Sequence, residues 1–114
     1  MAMPSPLPDD LAELISGQFR MLGEPMRLKI LDRLRSGERS VGVLAEELGA
    51  SQQNVSKHLQ TLNSSGIVAR RKEGNTVFYS IADPAMVEMC DQVCTSMEKR
   101  LEGMSSMLAS LQAS

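Results

Sequence analysis

Residues 51–60 carry most of the side chains that could read a DNA sequence. Glutamine and asparagine can form paired hydrogen bonds with adenine, and lysine can reach guanine or a phosphate. No acidic residue occurs from 51 to 71, whereas a merely solvated helix face usually mixes glutamate with lysine. We therefore favour DNA contact over an ordinary polar surface. The candidate residues are Ser51, Gln52, Gln53, Asn54, Ser56, Lys57, His58 and Gln60.

A basic hairpin is predicted directly after this stretch. Two short strands are expected over 67–72 and 76–81, joined by Gly74-Asn75, a pair that permits the positive φ of a tight turn. Arg70, Arg71 and Asn75 are its candidate contacts with the DNA backbone or minor groove. Residues 51–82 hold four basic residues against one acidic residue, although the whole chain has a net charge of −2. Such a locally basic face can bind DNA with a modest salt dependence.

The elements that position these side chains are predicted from apolar spacing and from capping residues. Helices are expected to begin at residues 9, 25, 41, 52 and 84. In the second of them, Leu28, Leu31 and Leu34 mark the expected buried stripe. The chain has no Trp, one Tyr and two Phe, so its core must be mostly aliphatic and methionine-rich.

The third and fourth helices show the pattern of a helix-turn-helix. Ser40 and Ser51 are the expected N-caps, Gly49 permits the turn, and Val55 and Leu59 are the apolar positions that lock the second helix. Together with the hairpin, this predicts a mainly α fold with a small β-hairpin, that is, a winged helix-turn-helix. Four helices precede the two strands and a fifth follows. Residues 9–112 are expected to form this one domain after a flexible leader over 1–8.

The run QQNVSKHLQTLNSSGIVARRKEGNTVFYSI resembles the recognition helix and wing of the ArsR/SmtB family of winged-helix repressors. Upstream, GEPMRLKILDRLRSGERSVGVLAEELG resembles that family's second and third helices. The resemblance implies a homodimer through the first and fifth helices that binds an inverted-repeat operator on double-stranded DNA. It also implies release of the operator by a metal, metalloid or oxidant. The family pattern puts Gln53, Ser56, Lys57, His58 and Gln60 at DNA and Arg70, Arg71 and Asn75 in the wing.

An effector site is harder to place. Where thiol-sensing members carry a Cys-x-Cys element, this chain has Ser40 and Gly42, and its last helix has no histidine. What remains is Cys90 and Cys94, which lie one helical turn apart and could bind a soft ion such as As(III), Cd(II), Hg(II) or Cu(I). Two alternatives stay open: the cysteines are structural members of an apolar seam, or the ligand is of another kind. No cofactor is expected to be required.

Other classes of protein fit less well. No catalytic constellation or phosphate-binding loop is visible and there is one histidine, so an enzyme is not expected. No apolar run approaches the roughly 18–20 residues that a membrane span needs. Two cysteines in one predicted helix are not a disulfide framework, which favours the reducing cytoplasm. The main alternative is a winged-helix regulator without metal sensing that acts constitutively or through a protein partner.

Overall fold

The computed structural model describes residues 1–113. Residues 1–8 form no helix or strand, and the remaining elements follow the predicted order with one addition. They are α1 (Asp9–Leu22), α2 (Pro25–Leu34), β1 (Arg39–Ser40), α3 (Val41–Leu48), α4 (Gln52–Ser64), β2 (Val68–Glu73), β3 (Thr76–Ile81) and α5 (Pro84–Ala113). The helix starts at residues 9, 25, 41, 52 and 84 are confirmed.

The core of residues 1–83 is mostly aliphatic, as its composition predicts, but the expectation of a methionine-rich core is wrong, because none of its buried side chains is a methionine. Its least exposed side chains are Ile30, Leu44, Val55, Leu59, Leu62, Ile67 and Val68. The stripe predicted on α2 is wrong at one position: Leu28 is 42% exposed, and Ile30 is fully buried. At about 100° per residue, Ile30, Leu31 and Leu34 fall within an arc of roughly 100°, whereas Leu28 lies about 60° outside that arc.

The predicted hairpin is part of a three-stranded antiparallel sheet in the order β1-β3-β2. The extra strand, β1, pairs Arg39 with Tyr79 and Ser40 with Phe78. Two residues are too few to show the alternation that identifies a strand, so β1 could not be predicted from apolar spacing. The hairpin turn is as expected: Glu73 pairs with Thr76, and Gly74 takes a φ of 62°.

Residues 84–113 form a separate compact unit that consists of the single long helix α5. Large apolar side chains recur along it and are about half to two-thirds exposed. They are Val93, Met97, Leu101, Met104, Met107, Leu108 and Leu111. Among the residues described, no helix is both long and apolar enough to cross a lipid bilayer.

Candidate nucleic-acid interface

The turn between α3 and α4 is fixed by local hydrogen bonds. At the start of α3, the Ser40 hydroxyl accepts a hydrogen bond from the Val43 N–H at 3.2 Å. At its end Gly49 adopts the left-handed conformation, with φ 61° and ψ 35°. The Ser51 hydroxyl then caps α4 by accepting from the Asn54 N–H at 3.1 Å. These caps satisfy backbone N–H groups that helix ends leave unpaired, so they define where α4 begins and how it leaves the turn.

The two sides of α4 differ sharply. Val55, Leu59 and Leu62 have no exposed surface and attach the helix to the core. On the remaining surface, five of the predicted DNA-contacting side chains are exposed to solvent: Gln52, Gln53, Asn54, Lys57 and Gln60. Ser56 is half-buried, and its hydroxyl accepts a hydrogen bond from Gln60 Nε2 at 3.3 Å. A helix held this way presents polar groups from its first two turns, as a recognition helix must.

His58 faces a different neighbour from the other predicted contacts. It is half-buried, and its Nδ1 accepts a hydrogen bond from Arg27 Nε of α2 at 3.1 Å. Arg27 also donates from Nη1 to the Met21 carbonyl oxygen at 3.3 Å, so the guanidinium links α1, α2 and α4. Arg27 was not predicted from the sequence to contact the recognition helix. The available signal was its place on α2, where it shares the helix side of Ile30 and Leu34.

The wing is the hairpin formed by β2 and β3, and its basic side chains lie on both faces of the sheet. Arg70 lies opposite Tyr79 and Lys72 opposite Val77, while Arg71 lies opposite Phe78 on the other face of the sheet. Directly paired residues of an antiparallel ladder share a face, so the alternation along β2 separates Arg71 from its two basic neighbours. Arg70 and Lys72 are exposed. Within residues 1–113, neither of them forms a salt bridge.

Arg71 is engaged within the protein. It donates to Glu38 from Nε at 3.1 Å and from Nη2 at 2.7 Å, and to Glu73 from Nη1 at 2.7 Å. Its guanidinium also lies 4.7 Å from the centroid of the Phe78 ring. The hydrogen bonds to Glu38 and Glu73 raise the pKa of Arg71, and the hydrogen bond from Arg71 lowers the pKa of Glu38. No pattern in the sequence indicates Glu38 as the partner of Arg71.

An open cleft of about 510 Å³ brings the start of α4 and the tip of the wing together. Its lining includes Gln52, Gln53 and Ser56 from α4 and Asn75 from the hairpin turn. Ser40 and Gly42, at the start of α3, lie on the same cleft. Predicted DNA contacts from α4 and from the hairpin turn thus border one surface, although they come from separate parts of the sequence. Their contact with DNA remains a prediction.

Cys90 and Cys94 lie on α5, and both are thiols rather than members of a disulfide. Cys90 is half-buried and Cys94 is exposed. Among residues 1–113, no group of three or more His, Cys, Asp and Glu side chains is arranged to hold a metal ion. Metal binding by Cys90 and Cys94 stays a prediction.

A tight turn between two capped helices, a polar face on the second of them and a hairpin at its side define a winged helix-turn-helix DNA-binding domain. A sequence profile described as a helix-turn-helix domain matches residues 22–71. The chain is 41% identical over 78 residues to the HTH-type transcriptional regulator KmtR of Mycobacterium tuberculosis, an alignment that covers 68% of this chain and 60% of that relative.

Solved structures agree with the sequence comparison. One is the homodimeric winged helix-turn-helix domain of Mb0332 from Mycobacterium bovis, described as a possible ArsR-family regulator. It has a TM-score of 0.73 and 32% identity over 89% of this chain and 94% of that one. The AntR antimony-specific transcriptional repressor has a TM-score of 0.73 and 28% identity over 90% of this chain and 98% of that one. The chain belongs to the ArsR/SmtB family, whose members are DNA-binding transcriptional regulators and not enzymes.

Proposed function

We propose that the protein is a homodimeric repressor that binds an inverted-repeat operator on double-stranded DNA. In this proposal α4 enters the major groove, and the hairpin contacts the flanking backbone or minor groove. The observation that carries it is the shared cleft: the exposed amides of Gln52 and Gln53 and the tip residue Asn75 face the same open space. Two copies related by a twofold axis would place two such surfaces in successive major grooves.

The homodimer is supported by large apolar side chains that are exposed to water in the single protomer. On α1, Leu14 is 70% exposed and Phe19 is 53% exposed. On α5, Leu101 and Leu108 are 60% and 56% exposed. Complete burial of a large apolar side chain contributes about 1.5–3 kcal/mol, so covering the part that is still exposed contributes about 1–2 kcal/mol for each, which favours association of a small domain. The Mb0332 domain is described as homodimeric, and we extend that state to this chain.

The DNA-binding proposal can be tested with Lys57→Gln and the charge-matched control Lys99→Gln. Both lysines are exposed, but Lys57 lies on α4 and Lys99 on α5. The duplex would be selected by the protein from a random-sequence pool and is expected to contain an inverted repeat. Lys57→Gln should weaken binding to it by about 1–3 kcal/mol if the contact is to a base. If it is to a phosphate, the slope of log affinity against log salt should become shallower by about 0.9 per protomer.

Two results would count against these claims. Equal binding by the wild type, Lys57→Gln and Lys99→Gln across the salt series would show that Lys57 does not contact DNA. Failure of the wild type to enrich any sequence would contradict the DNA-binding proposal and leave the winged helix as an interaction module for another regulator.

We further propose that a thiophilic ion acts as the effector at Cys90 and Cys94. Thiolates one turn apart on a helix can share a soft ion, and partial exposure leaves them accessible. AntR, whose fold this chain shares, is described as antimony-specific. The ion would release DNA by binding the dimer more tightly in a conformation that misplaces the recognition helices. Reduced thiols of this kind are consistent with the cytoplasm.

The effector proposal has a direct test. As(III), Sb(III), Hg(II), Cd(II) and Cu(I) would be titrated into the complex of protein and selected duplex, with Cys90→Ser/Cys94→Ser as the comparison. Release of DNA from the wild type but not from the variant is expected. Equal behaviour of the two would favour the second candidate, a regulator with structural cysteines that acts constitutively or through a protein partner. The absence of a three-ligand group within residues 1–113 favours that candidate.

A further inference from the structure

We infer that Glu38 is a positioning residue for the wing and that Arg71 is its anchor, not a phosphate ligand. The inference rests on the proposed DNA binding and assigns different roles to the basic residues of the hairpin. It also reverses the role that sequence resemblance implies for Arg71.

The guanidinium of Arg71 is already occupied by hydrogen-bond partners within the protein. Glu38 accepts from two of its nitrogens, Nε and Nη2, in the bidentate arrangement that suits a planar donor. Glu73 accepts from the third, Nη1. One cation is thus surrounded by two carboxylates, which gives the group a local charge of −1. A phosphate that approached Arg71 would have to displace or oppose two negative charges, whereas Arg70 and Lys72 present no such obstacle.

The Glu38–Arg71 pair connects two distant segments of the chain. Glu38 immediately precedes β1, and Arg71 lies in the middle of β2, so the contact joins segments 33 residues apart in the chain. In the sheet order β1-β3-β2, these strands flank β3 and do not pair with each other. β1 contributes only two register pairs to the sheet. The Glu38–Arg71 pair is therefore a second attachment between the wing and the segment that leads into α3.

Both ends of the Glu38–Arg71 pair lie within a few residues of the candidate DNA-binding surface. Ser40, two residues after Glu38, caps α3, the first helix of the helix-turn-helix. Asn75, four residues after Arg71, is at the wing tip and lines the cleft with Gln52 and Gln53. A tether from Glu38 to Arg71 thus fixes the wing relative to the helix pair, and the stacking of Arg71 on Phe78 holds the guanidinium at the sheet surface. This gives the wing a defined position before DNA arrives.

The substitution Glu38→Gln distinguishes the two roles of Arg71. It should weaken DNA binding if Arg71 is the anchor of the wing, and strengthen it if Arg71 is a phosphate ligand that Glu38 masks. If Arg71 is the anchor, Glu38→Gln and Arg71→Gln should each weaken binding to the selected duplex by about two- to fivefold, since exposed ion pairs contribute modestly. The double variant should lose no more than either single one, and the salt slope should stay that of the wild type. Arg70→Gln is the matched control and should make the slope shallower by about 0.9 per protomer. Glu46→Gln, on the exposed surface of α3, measures how much DNA affinity increases when a carboxylate is removed elsewhere on the protein.

Several outcomes would overturn the inference. Tighter binding by Glu38→Gln than by Glu46→Gln would mean that Glu38 masks Arg71 from a phosphate. A shallower salt slope for Arg71→Gln, equal to that of Arg70→Gln, would mean the same. Unchanged affinity for both Glu38→Gln and Arg71→Gln would remove the positioning role.

A measurement without DNA separates this inference from the proposed function. Amide hydrogen exchange in the whole protein should show several-fold weaker protection in β1 and β3 for Glu38→Gln and Arg71→Gln, and unchanged protection for Arg70→Gln. If the wild type bound no duplex, the proposed function would fail, but the exchange comparison would still show whether the Glu38–Arg71 pair anchors the wing. If β1 and β3 were protected equally in all three variants, the anchoring role of the Glu38–Arg71 pair would be refuted.

Discussion

Gly49 offers a quantitative test of how the turn specifies the recognition surface. Its φ of 61° and ψ of 35° lie in the left-handed region, which costs an L-residue with a Cβ about 1–2 kcal/mol. A Cβ built there would meet no atom within 4 Å, so no steric clash adds to that cost. The hydrogen bonds from Gly49 N to Glu46 O and from Ala50 N to Ala45 O can persist. Gly49→Ala should therefore destabilise the protein by about 1–2 kcal/mol through backbone conformation alone.

Thermal unfolding at one fixed protein concentration is the assay, because association makes the midpoint depend on concentration. For a chain of 114 residues, this loss corresponds to a fall in Tm of about 4–8 °C. Two variants serve as controls. Gly49→Asn should lose less, because asparagine tolerates the left-handed region. Gly103→Ala, inside α5 and also without a neighbour within 4 Å, should gain up to about 1 kcal/mol.

Two results would contradict the predicted cost of a side chain at Gly49. If Gly49→Ala unfolds at the wild-type temperature, the turn is not strained by a side chain. If Gly49→Asn loses as much as Gly49→Ala, the cost arises from something other than the left-handed conformation.

Two other features of residues 1–83 lead to predictions. Ser51→Ala should lower the free energy of unfolding by about 1 kcal/mol and weaken the exchange protection of the Asn54 N–H, whereas an unchanged Asn54 amide would contradict the cap. The Glu38 carboxyl, followed by NMR, should titrate below its ordinary pKa of 4.5 and return to it in Arg71→Gln. Because that pKa is lowered in the fold, the stabilisation is present above 4.5 and is lost as pH falls through the lowered value. Stability should thus fall less on acidification in Glu38→Gln than in the wild type; parallel curves would refute this.

Local features of the sequence were enough to predict the helix-turn-helix. Ser40, Gly49 and Ser51 act on backbone groups within a few residues of themselves, so their roles can be read from order and spacing. Val55 and Leu59 are fully buried, as their spacing predicts. The signals for these features and their consequences lie in the same short segment.

Contacts between distant segments could not be predicted in this way. Arg27 and His58 are 31 residues apart, and Glu38 and Arg71 are 33 apart. Each pair forms only because the fold brings a polar group on one element to a polar group on another, and no periodicity records that. The role of Arg71 shows the consequence: its type and position suggest a wing contact with DNA, but its surroundings supply two carboxylates.

The salt dependence of binding reflects the number of cations that remain for DNA. Residues 51–82 contain four basic residues, and engagement of Arg71 leaves Lys57, Arg70 and Lys72. A dimer that used all three from each protomer would neutralise six phosphates and give a slope of about −5 in log affinity against log salt. If Arg71 contacted a phosphate as well, the slope would be about −7. The same measurement thus tests how an acidic chain binds DNA and whether its wing uses two cations or three.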